Sequence, residues 1–518
     1  MNYAEAVEHL YALGPELPPL AIAEEAKVGA ATPPPPRRRF DLAHMRVLCT
    51  ALGDPQAQVP AVLIAGTNGK GSTAATLASI LTAAGYRTGL YTSPHLVHVN
   101  ERIQLAHPVM PSEYGSASAH GTEGALELVP ITDDDFARLY TRVDEVGRTL
   151  HAEGQLPLPP SFFERLTAVA FLFFAGSETT SRADMMVLEV GLGGRLDATN
   201  IVEPLLSILT DIALDHQEYL GSTISEITRE KCGILREHGV LITLPQHEEA
   251  NRAIGVAAEA LKVRAINAAA YIPAPDRSPT RTRIDGAEGS LLPCNRYVVQ
   301  TEEGPNATDL HIDSPLPGQH QQRNVALAIA AALELRNSNS YKPSLISNSH
   351  CYNITDAAIE AGIRATKWPG RLETIKPNLL LDVAHNPAGA WALRGALASL
   401  PESQPRTLIF SCLRDKDLVE MSRILFPLFD SSVDGDPMRR QDHLIFAPIA
   451  NPRAAAVEDL LAASNNLGIP AHAAPHLAGA LAQARQITPA NGLIIATGSV
   501  YLVGEIRELA SSAESLPA

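Results

Sequence analysis

A glycine-rich loop that contains one lysine, residues 66–72, is the segment with the clearest chemical meaning. Its sequence is Gly-Thr-Asn-Gly-Lys-Gly-Ser, and it follows the apolar run at 61–65. Glycines allow backbone N–H groups to turn towards phosphate oxygens, and a lysine adds positive charge near the β and γ phosphates. The loop therefore predicts a binding site for the phosphates of a nucleoside triphosphate. The predicted ligands are Thr67, Asn68, Gly69, Lys70, Gly71 and Ser72.

The loop departs from the ordinary P-loop pattern, which is G-x-x-x-x-G-K-[ST]. Ile64 stands where the first glycine is expected, Gly71 follows the lysine directly, and Ser72 comes one place later. The segment is thus a compressed variant. Its place between an apolar run and a helical pattern supports the phosphate-binding interpretation.

Three other segments place a polar side chain at or after the end of an apolar run. Ser93 follows 87–91, Glu189 ends 185–189, and His216 lies in the segment after 205–209. The carboxyl ends of parallel strands meet at one edge of a sheet, which is where ligands bind. A carboxylate there suits Mg²⁺, although a histidine is a less usual ligand than oxygen. The three segments thus bring Ser93, Glu189 and His216 to one edge of the sheet, although a single histidine is more often structural.

Four further residues are weak signals when each is taken alone. Lys231 fits the exposed face of a helix at 229–233. Arg371 lies in a Trp-Pro-Gly-Arg turn, from which it could contact a phosphate with two hydrogen bonds. Asp382 and His385 follow another apolar run at 379–381.

The elements that must position these residues follow an α/β pattern. A strand, the loop, a helix closed by Gly85 and a second strand span 60–92, and 161–175 is a largely apolar helix. A second α/β pattern has strands at 379–381, 407–410, 444–446 and 493–496, with helices at 389–400, 453–467 and 475–486. We predict irregular β structure at 265–315, a strong helix at 324–335, and a division into domains at 1–340 and 341–518.

The composition excludes several classes of function. The chain has 518 residues, with 57 acidic against 41 basic side chains and a formal net charge of −16. This balance argues against a nucleic-acid duplex or an anionic membrane as the main partner. No apolar stretch is long enough to span a membrane, and the first residues do not resemble a signal peptide. The five cysteines are scattered, which favours a reducing compartment, and we expect a cytoplasmic protein.

Together the motifs resemble the folylpolyglutamate synthase/dihydrofolate synthase family of the Mur ligase superfamily. The resemblance runs from about Phe40 to Glu505. It is carried by GTNGKGS (66–72), YTSPHL (91–96), NERI (100–103), SFFE (161–164), EVGLGGRLDATN (189–200), ALDH (213–216), EKCGIL (230–235), GQHQQRN (318–324), WPGR (368–371), DVAHNP (382–387) and GSVYLVGEIR (498–507).

The resemblance implies a fold and a set of ligands. The expected fold is an N-terminal P-loop ATPase domain, with a parallel sheet flanked by helices and a small additional β-sheet, and a C-terminal Rossmann-like α/β domain. ATP would contact the loop and also Asn324, Arg371 and Asp382. Ser93, Glu189 and His216 would bind Mg²⁺, and Lys231, carried as a carbamate, would help to hold a second ion. The implied pterin-binding residues are Ser161, Phe162, Phe163, Glu164, Leu196, Asp197 and Ala198, and the catalytic candidates are Lys70, Lys231 and His385.

The reaction implied by the resemblance forms an amide. Transfer of the γ-phosphoryl group of ATP to a carboxylate gives an acyl phosphate, which the amine of L-glutamate attacks with release of ADP and phosphate. The carboxylate would belong to dihydropteroate or to a reduced folate. Phosphoryl transfer needs alignment and charge neutralisation more than covalent help, and Lys70, Mg²⁺ and Arg371 would supply both. Most members of the family are monomers, so a monomer is expected.

Three alternatives stay open at this point. The chain could have only the polyglutamylating activity, or it could be a muramyl-peptide ligase, although such ligases usually have Thr or Ser directly after the P-loop lysine. It could also be a nucleotide-binding regulator without ligase activity, for which broken metal positions would be expected. The chain is longer than typical family members. We expect the additions to form surface loops near 18–36, 106–130, 273–290, 337–352 and 431–440, and the one at 106–130 to lie near the folate entrance.

Overall fold

The computed structural model describes residues 1–14, 41–109, 125–176, 181–274, 291–301, 307–337, 352–432 and 435–514. Most of the expected additions near 18–36, 106–130, 273–290 and 337–352 therefore lie outside the described residues. The addition near 431–440 is described except for two residues, and it carries a short 3₁₀ turn at Pro437–Arg439. Within the described part of the chain, no helix combines the length and the apolar character needed to cross a bilayer.

Helices and strands alternate through much of the described chain. The α-helices are α1 (Tyr3–Ala12), α2 (Leu42–Ala51), α3 (Lys70–Ala83), α4 (Asp133–Ala152), α5 (Phe162–Ala175), α6 (Gln217–Leu220), α7 (Ile224–Cys232), α8 (Glu248–Ala260), α9 (Gln319–Asn337), α10 (Asp356–Ala365), α11 (Pro387–Leu397), α12 (Leu418–Leu425), α13 (Val457–Asn466), α14 (Leu477–Ile487) and α15 (Val500–Glu514). The strands are β1 (Ala61–Ala65), β2 (Thr88–Tyr91), β3 (Ile103–Pro108), β4 (Leu126–Pro130), β5 (Met185–Glu189), β6 (Pro204–Leu209), β7 (Val240–Thr243), β8 (Arg264–Asn267), β9 (Asn295–Gln300), β10 (Asp309–Ser314), β11 (Glu373–Ile375), β12 (Leu379–Leu381), β13 (Arg406–Phe410), β14 (His443–Phe446), β15 (His472–Ala473) and β16 (Leu493–Thr497).

The chain forms two compact units, each assembled from separated segments. The first unit comprises residues 1–66, 85–93 and 102–266, and the second comprises 67–84, 94–101 and 267–518. The backbone passes from one to the other between Gly66 and Thr67, inside the phosphate loop. These units are defined by contacts, so the division into domains at residues 340 and 341 stays a prediction.

The first unit is built on an eight-stranded sheet in the order β4-β3-β2-β5-β1-β6-β7-β8. The strands β2, β5, β1, β6 and β7 run parallel, and β1 and β5 are buried along their whole length, as expected for central strands covered on both faces. The edge strands β3 and β4 are antiparallel to their neighbours. The sheet is therefore mixed, and the prediction of a parallel sheet holds only for its centre. Part of the segment expected to be a loop at 106–130 pairs as sheet.

Helix α5 packs on this sheet because its sequence is almost entirely apolar. It begins with a capping box in which Ser161 and Glu164 satisfy each other's backbone N–H groups. Gly89 of β2 has no side chain, and a Cβ there would lie 2.7 Å from the Phe174 ring. The Tyr91 hydroxyl lies 3.1 Å from the Thr167 hydroxyl. The helix is thereby fixed against β2, close to the end of that strand.

The second unit is built on a six-stranded sheet in the order β11-β12-β16-β13-β14-β15. All neighbours are parallel except β11 and β12. Alternate strand residues enter two apolar clusters: Leu408 and Phe410 pack with α11, α12 and α13, whereas Ile409 packs with α14 and α15. Helices therefore cover both faces, as the Rossmann-like prediction requires. The expected β structure at 265–315 is the separate antiparallel pair β9 and β10, which belongs to this unit.

Helix α3 also belongs to the second unit and packs on α9 and α10. Gly362 of α10 lies against the backbone of Ile80, where no Cβ would fit. The Ser79 hydroxyl donates a 2.7 Å hydrogen bond to the Gly362 carbonyl. Gly85 follows the helix with φ of 90°, which is the expected C-terminal stop. The C-terminal half of α3 is thus held by α10, far along the chain.

Candidate functional site

The carboxyl edge of the eight-stranded sheet begins at Gly66, directly after β1. The chain turns so closely past Thr210 that a Cβ on Gly66 would overlap the threonine Oγ1. The Thr210 N–H donates a 2.9 Å hydrogen bond to the Ala65 carbonyl, which continues the pairing of β1 with β6. This close approach explains why glycine is required at position 66.

Ser93 and Glu189 come together at the same edge, because β2 and β5 are neighbours. The Ser93 N–H donates to Oε2 of Glu189 over 3.1 Å. The Glu189 side chain is buried, with 4% of the residue exposed. A buried carboxylate is unfavourable unless it is hydrogen-bonded or bound to a cation, so this position is suited to an ion.

Lys231 also lies at this edge, near the end of α7. A capping box formed by Thr223 and Glu226 fixes the beginning of that helix. The lysine is 4% exposed, and its Nζ donates a 2.7 Å hydrogen bond to the Gly66 carbonyl. Lys231 is therefore not the exposed helix-face residue that its local pattern favours. It is tied directly to the beginning of the phosphate loop.

His216 lies in the loop after β6, at the residue before α6. Its backbone has φ of 50°, a left-handed conformation that is uncommon outside glycine. Upstream in this loop, the Ile212 N–H donates to Oε1 of Gln246 over 2.7 Å. Gln246 therefore positions the segment that leads to His216.

The donors at this edge fit a hard cation that arrives with phosphate oxygens. Among the residues that the structure describes, no three His, Cys, Asp or Glu side chains gather into a metal-binding group. Glu189 with Ser93 beside it offers one carboxylate and one hydroxyl. Mg²⁺ is commonly bound by one or two carboxylates together with substrate phosphates, so the fit is to Mg²⁺ rather than to a structural zinc.

The glycine-rich segment at 189–200 is closed by its own aspartate. Oδ2 of Asp197 accepts from the Leu192 N–H over 3.0 Å, and Oδ1 accepts from the Thr199 N–H and hydroxyl over 3.0 and 2.6 Å. Burial raises the pKa of Asp197, and these hydrogen bonds oppose the rise. Asp197 shapes the loop, Ala198 is buried, and Leu196 is half-buried.

The segment at 161–164 lies beside the glycine-rich segment at 189–200. A Cβ on Gly191 would be 2.5 Å from the Phe163 ring, and that ring also lies 6.0 Å from the Tyr91 ring. Phe162 is buried under the guanidinium of Arg102, which is 5.5 Å from its ring centroid. Ser161 and Glu164 make the capping box of α5, so their polar groups are already engaged locally.

In the second unit, amide side chains surround the rest of the phosphate loop. Lys70 Nζ donates over 3.2 Å to the Thr67 carbonyl of its own loop. Asn386 Nδ2 donates over 3.0 Å to Oδ1 of Asn68. The Asn324 amide lies so close to Gly69 that a Cβ there would overlap it. Of the remaining predicted loop ligands, Gly71 and Ser72 begin α3 and are buried.

Trp368 packs on the other glycine of this loop. A Cβ on Gly71 would lie 2.7 Å from Cζ2 of the indole, and the Arg371 guanidinium lies 5.7 Å from the ring. Asp382 accepts hydrogen bonds of 3.0 Å from the N–H groups of Leu372 and Ala384. Burial raises the pKa of Asp382 to about 6, against the lowering effects of Arg371 and these N–H groups.

The structure thus assembles two groups of predicted residues. The sheet edge brings together Gly66, Ser93, Glu189 and Lys231, and the second unit brings Asn324 and the loop residues together. His385 lies after β12, where its Nδ1–H donates over 2.8 Å to the Val383 carbonyl. Four residues have contacts that could not be assigned from the sequence: Thr210, Gln246, Trp368 and Asn386. The sequence indicated these contacts only indirectly. The glycines at 66, 69 and 71 are typical of places where another group approaches the backbone closely, but they do not identify that group.

Comparisons with known proteins agree with this arrangement. Residues 166–332 match the Mur ligase middle domain family. A dihydrofolate synthase/folylpolyglutamate synthase of Bacillus subtilis is 31% identical over 473 residues, which are 90% of this chain and 94% of that protein. The chain belongs to the folylpolyglutamate synthase/dihydrofolate synthase family. The resemblance carried by the motifs is thereby confirmed, and with it the assignment to the ligases.

Solved structures place the chain in the same family. Mycobacterium tuberculosis folylpolyglutamate synthase, complexed with ADP and AMPPCP, matches with a TM-score of 0.72 and 28% identity, over 91% of this chain and 96% of that chain. Escherichia coli FolC, in complex with DHPP and ADP, matches with a TM-score of 0.70 and 25% identity, over 99% of each chain. The two-part α/β architecture of this folylpolyglutamate synthase family member is therefore that of its relatives.

Proposed function

We propose that the chain is an ATP-dependent ligase that joins L-glutamate to dihydropteroate and to reduced folates. The observation that carries the proposal is the match with the bifunctional Bacillus subtilis enzyme over 90% of this chain and 94% of that protein. The nucleotide is proposed to be ATP because ADP and AMPPCP are bound by the related structures. The folate substrate is proposed from the names of the same relatives.

The phosphate loop and the residues around it would bind and align ATP. Backbone N–H groups at the beginning of α3 and the Lys70 ammonium would face the phosphates, while Asn324, Arg371 and Asp382 would bind the rest of the nucleotide. Amide formation would proceed through an acyl phosphate, which the glutamate amine attacks with release of ADP and phosphate. Such a transfer depends on alignment and on stabilisation of developing charge. His385 is the remaining catalytic candidate.

Magnesium would be held by Glu189, Ser93 and His216. When bound, Mg²⁺ neutralises phosphate charge and polarises the transferred group. The buried Glu189 carboxylate and the neighbouring Ser93 support this assignment. Lys231 would carry a carbamate that helps to hold a second ion, and its burial beside the Gly66 carbonyl places it at the same edge.

The folate would lie against the segments at 161–164 and 196–198. Phe163 of the first segment is in contact with Gly191, which precedes the second in the same glycine-rich loop. The ring of Phe163 is the surface of this pair best suited to a flat heterocycle. We further propose a cytoplasmic monomer with domains at 1–340 and 341–518. The alternative of polyglutamylation alone remains distinct, because it requires no dihydropteroate site.

Coupled measurement of ADP release with each acceptor tests the proposal. We expect glutamate-dependent ADP release and a new amide product with dihydropteroate and with tetrahydrofolate. Lys70→Ala should abolish both reactions, whereas Lys262→Ala, an exposed lysine, should retain them. Product from tetrahydrofolate alone would leave only the polyglutamylating activity. The absence of product from either acceptor in the wild-type protein would refute the ligase proposal.

A further inference from the structure

The indole of Trp368 stands beside the phosphate loop at the place of an ordinary P-loop side chain. In that loop pattern, a Ser or Thr follows the lysine directly and its hydroxyl binds Mg²⁺. Here Gly71 occupies the position, and a Cβ on it would lie 2.7 Å from Cζ2 and 3.2 Å from Nε1 of Trp368. The ring edge that carries the indole nitrogen therefore lies where the missing side chain would begin.

The Trp368 Nε1–H is a buried donor that lacks a protein acceptor. Among the residues that the structure describes, none accepts a hydrogen bond from it. An indole N–H can only donate, and a buried donor without an acceptor is unfavourable. The ring is held in place by Gly71 and by Arg371, whose guanidinium is 5.7 Å from the ring centroid. The missing acceptor is therefore best supplied by a ligand.

The beginning of α3 decides which acceptor this would be. The N-terminal turn of a helix, with its free N–H groups and positive dipole end, attracts anions. Lys70, one residue before Gly71, adds a full positive charge. A phosphate oxygen is the acceptor that this environment selects, and hydrogen bonds to charged oxygens are the stronger kind.

We propose that Trp368 Nε1 donates a hydrogen bond to a phosphate oxygen of the bound nucleotide. The pair of Gly71 and Trp368 would then replace a P-loop metal ligand by a direct phosphate ligand, since an N–H has no lone pair for Mg²⁺. This inference rests on the proposed nucleotide site at 66–72. The inference differs from a metal-mediated role in one testable respect. The contribution of Trp368 to ADP affinity must persist when divalent cations are removed.

Calorimetric titration of ADP, with Mg²⁺ and with EDTA, tests the inference on the full chain. Trp368→Phe keeps an aromatic ring at this position and removes the indole N–H together with part of the ring system. We expect ADP affinity to fall about tenfold or more in both buffers, because a hydrogen bond to a charged group is lost. Adenosine affinity should stay unchanged. Trp391→Phe is the matched control, because that tryptophan is 56% exposed on α11.

Three outcomes would overturn the inference. They are ADP affinity within twofold of wild type, an equal loss for adenosine, and a loss that disappears in EDTA. If the wild type itself fails to bind ADP, the proposed nucleotide site is wrong, which is a separate failure. Should Trp368→Phe not fold, Trp391→Phe leaves Trp368 as the sole tryptophan of the chain. Its fluorescence must then change with ADP and not with adenosine, and an unchanged signal with ADP would refute the contact.

Discussion

The carboxyl edge of the eight-stranded sheet and the first turn of α3 are both lined with glycine, but different side chains cover the glycines. At the sheet edge, Thr210 covers Gly66, and the buried Lys231 donates to the carbonyl of the same glycine. At α3, the amide of Asn324 covers Gly69 and the indole of Trp368 covers Gly71. The charged side chains Glu189 and Lys231 are buried at the first place, whereas the glycines at the second place are covered by a neutral amide and a neutral indole.

The difference indicates two kinds of sensitivity to substitution. A buried charge is stable only with its partners in place. Removing one charged group at the sheet edge should therefore abolish most of the enzyme activity. Neutral hydrogen bonds contribute about 0.5–1.5 kcal/mol each, so changes to the neutral groups around α3 should weaken binding in smaller steps.

The largest effect is expected for Glu189→Gln, which removes the buried carboxylate with almost no change in shape. Glutamate-dependent ADP release should fall at least about a hundredfold, because charge neutralisation at the transferred phosphate is lost. Steady-state assay over a range of Mg²⁺ concentrations would measure this. Glu218→Gln, an exposed change on α6, is the control. Near-normal turnover in Glu189→Gln would contradict the assignment of this edge as the metal site.

The next effect is expected for Gly66→Ala, which places a methyl group onto Thr210. The free energy of unfolding should fall by about 1–3 kcal/mol, the usual range for overpacking. Gly255→Ala in α8 is the control, since a Cβ there meets nothing within 4 Å. That variant should be as stable as wild type or up to about 1 kcal/mol more stable. Urea unfolding of both variants measures the contrast, and equal stability would mean that the approach of Thr210 is not as close as described.

A smaller effect is expected at α3 for Asn386→Asp. Aspartate keeps the oxygen that caps α11 at the Gly389 N–H, but it loses the Nδ2 donor to Asn68. ADP affinity should fall at least about fivefold, because one hydrogen bond is lost and the new negative charge repels the anionic ligand. Asn386→Ala loses the cap as well and should also lower the free energy of unfolding. If Asn386→Asp binds ADP as wild type does, the contact with Asn68 does not position the loop for nucleotide.

The last prediction concerns the dependence of stability on pH, not the binding of a ligand. Burial raises the folded-state pKa of Asp382 from 3.8 to about 6. Protonated Asp382 is therefore favoured on folding, and the stability it contributes is full below pH 3.8 and lost as the pH rises through about 6. Relative to Asp382→Asn, wild type should lose stability between about pH 4 and pH 7. Urea midpoints across this range test it, and a constant difference between the two proteins would contradict the raised pKa.

Several elements could be predicted from the sequence because the local pattern of residue types is enough to indicate them. The apolar run at 61–65 forms the buried strand β1. The strand predicted at 407–410 lies within β13, whose alternate residues pack into two apolar clusters. Ser161 and Glu164 have the spacing of a capping box and form one. In contrast, parts of β3 and β4 lie in the segment near 106–130 that was expected to be a surface loop. Antiparallel edge strands lack the continuous apolar pattern of buried parallel strands, so the sequence did not indicate them.

The two buried aspartates show where sequence reasoning stops. Asp197 and Asp382 both follow strands and lie in segments typical of a binding site. Both carboxylate oxygens of Asp197 accept hydrogen bonds from its own loop at 192–199. Asp382, in contrast, also interacts with the positive charge of Arg371. Nothing in the local spacing separates a carboxylate that shapes its own loop from one that faces a distant cation.

The sequence by itself predicted the phosphate loop and the polar strand ends, because the types and order of these residues are local properties. It determined the α/β class and the family for the same reason. Only the tertiary structure decided which side chain covers each glycine: Thr210 on Gly66, Asn324 on Gly69 and Trp368 on Gly71. These partners lie 144 to 297 positions along the chain from the glycines that they cover. A local sequence pattern carries no information about contacts that are created by the packing of separate elements.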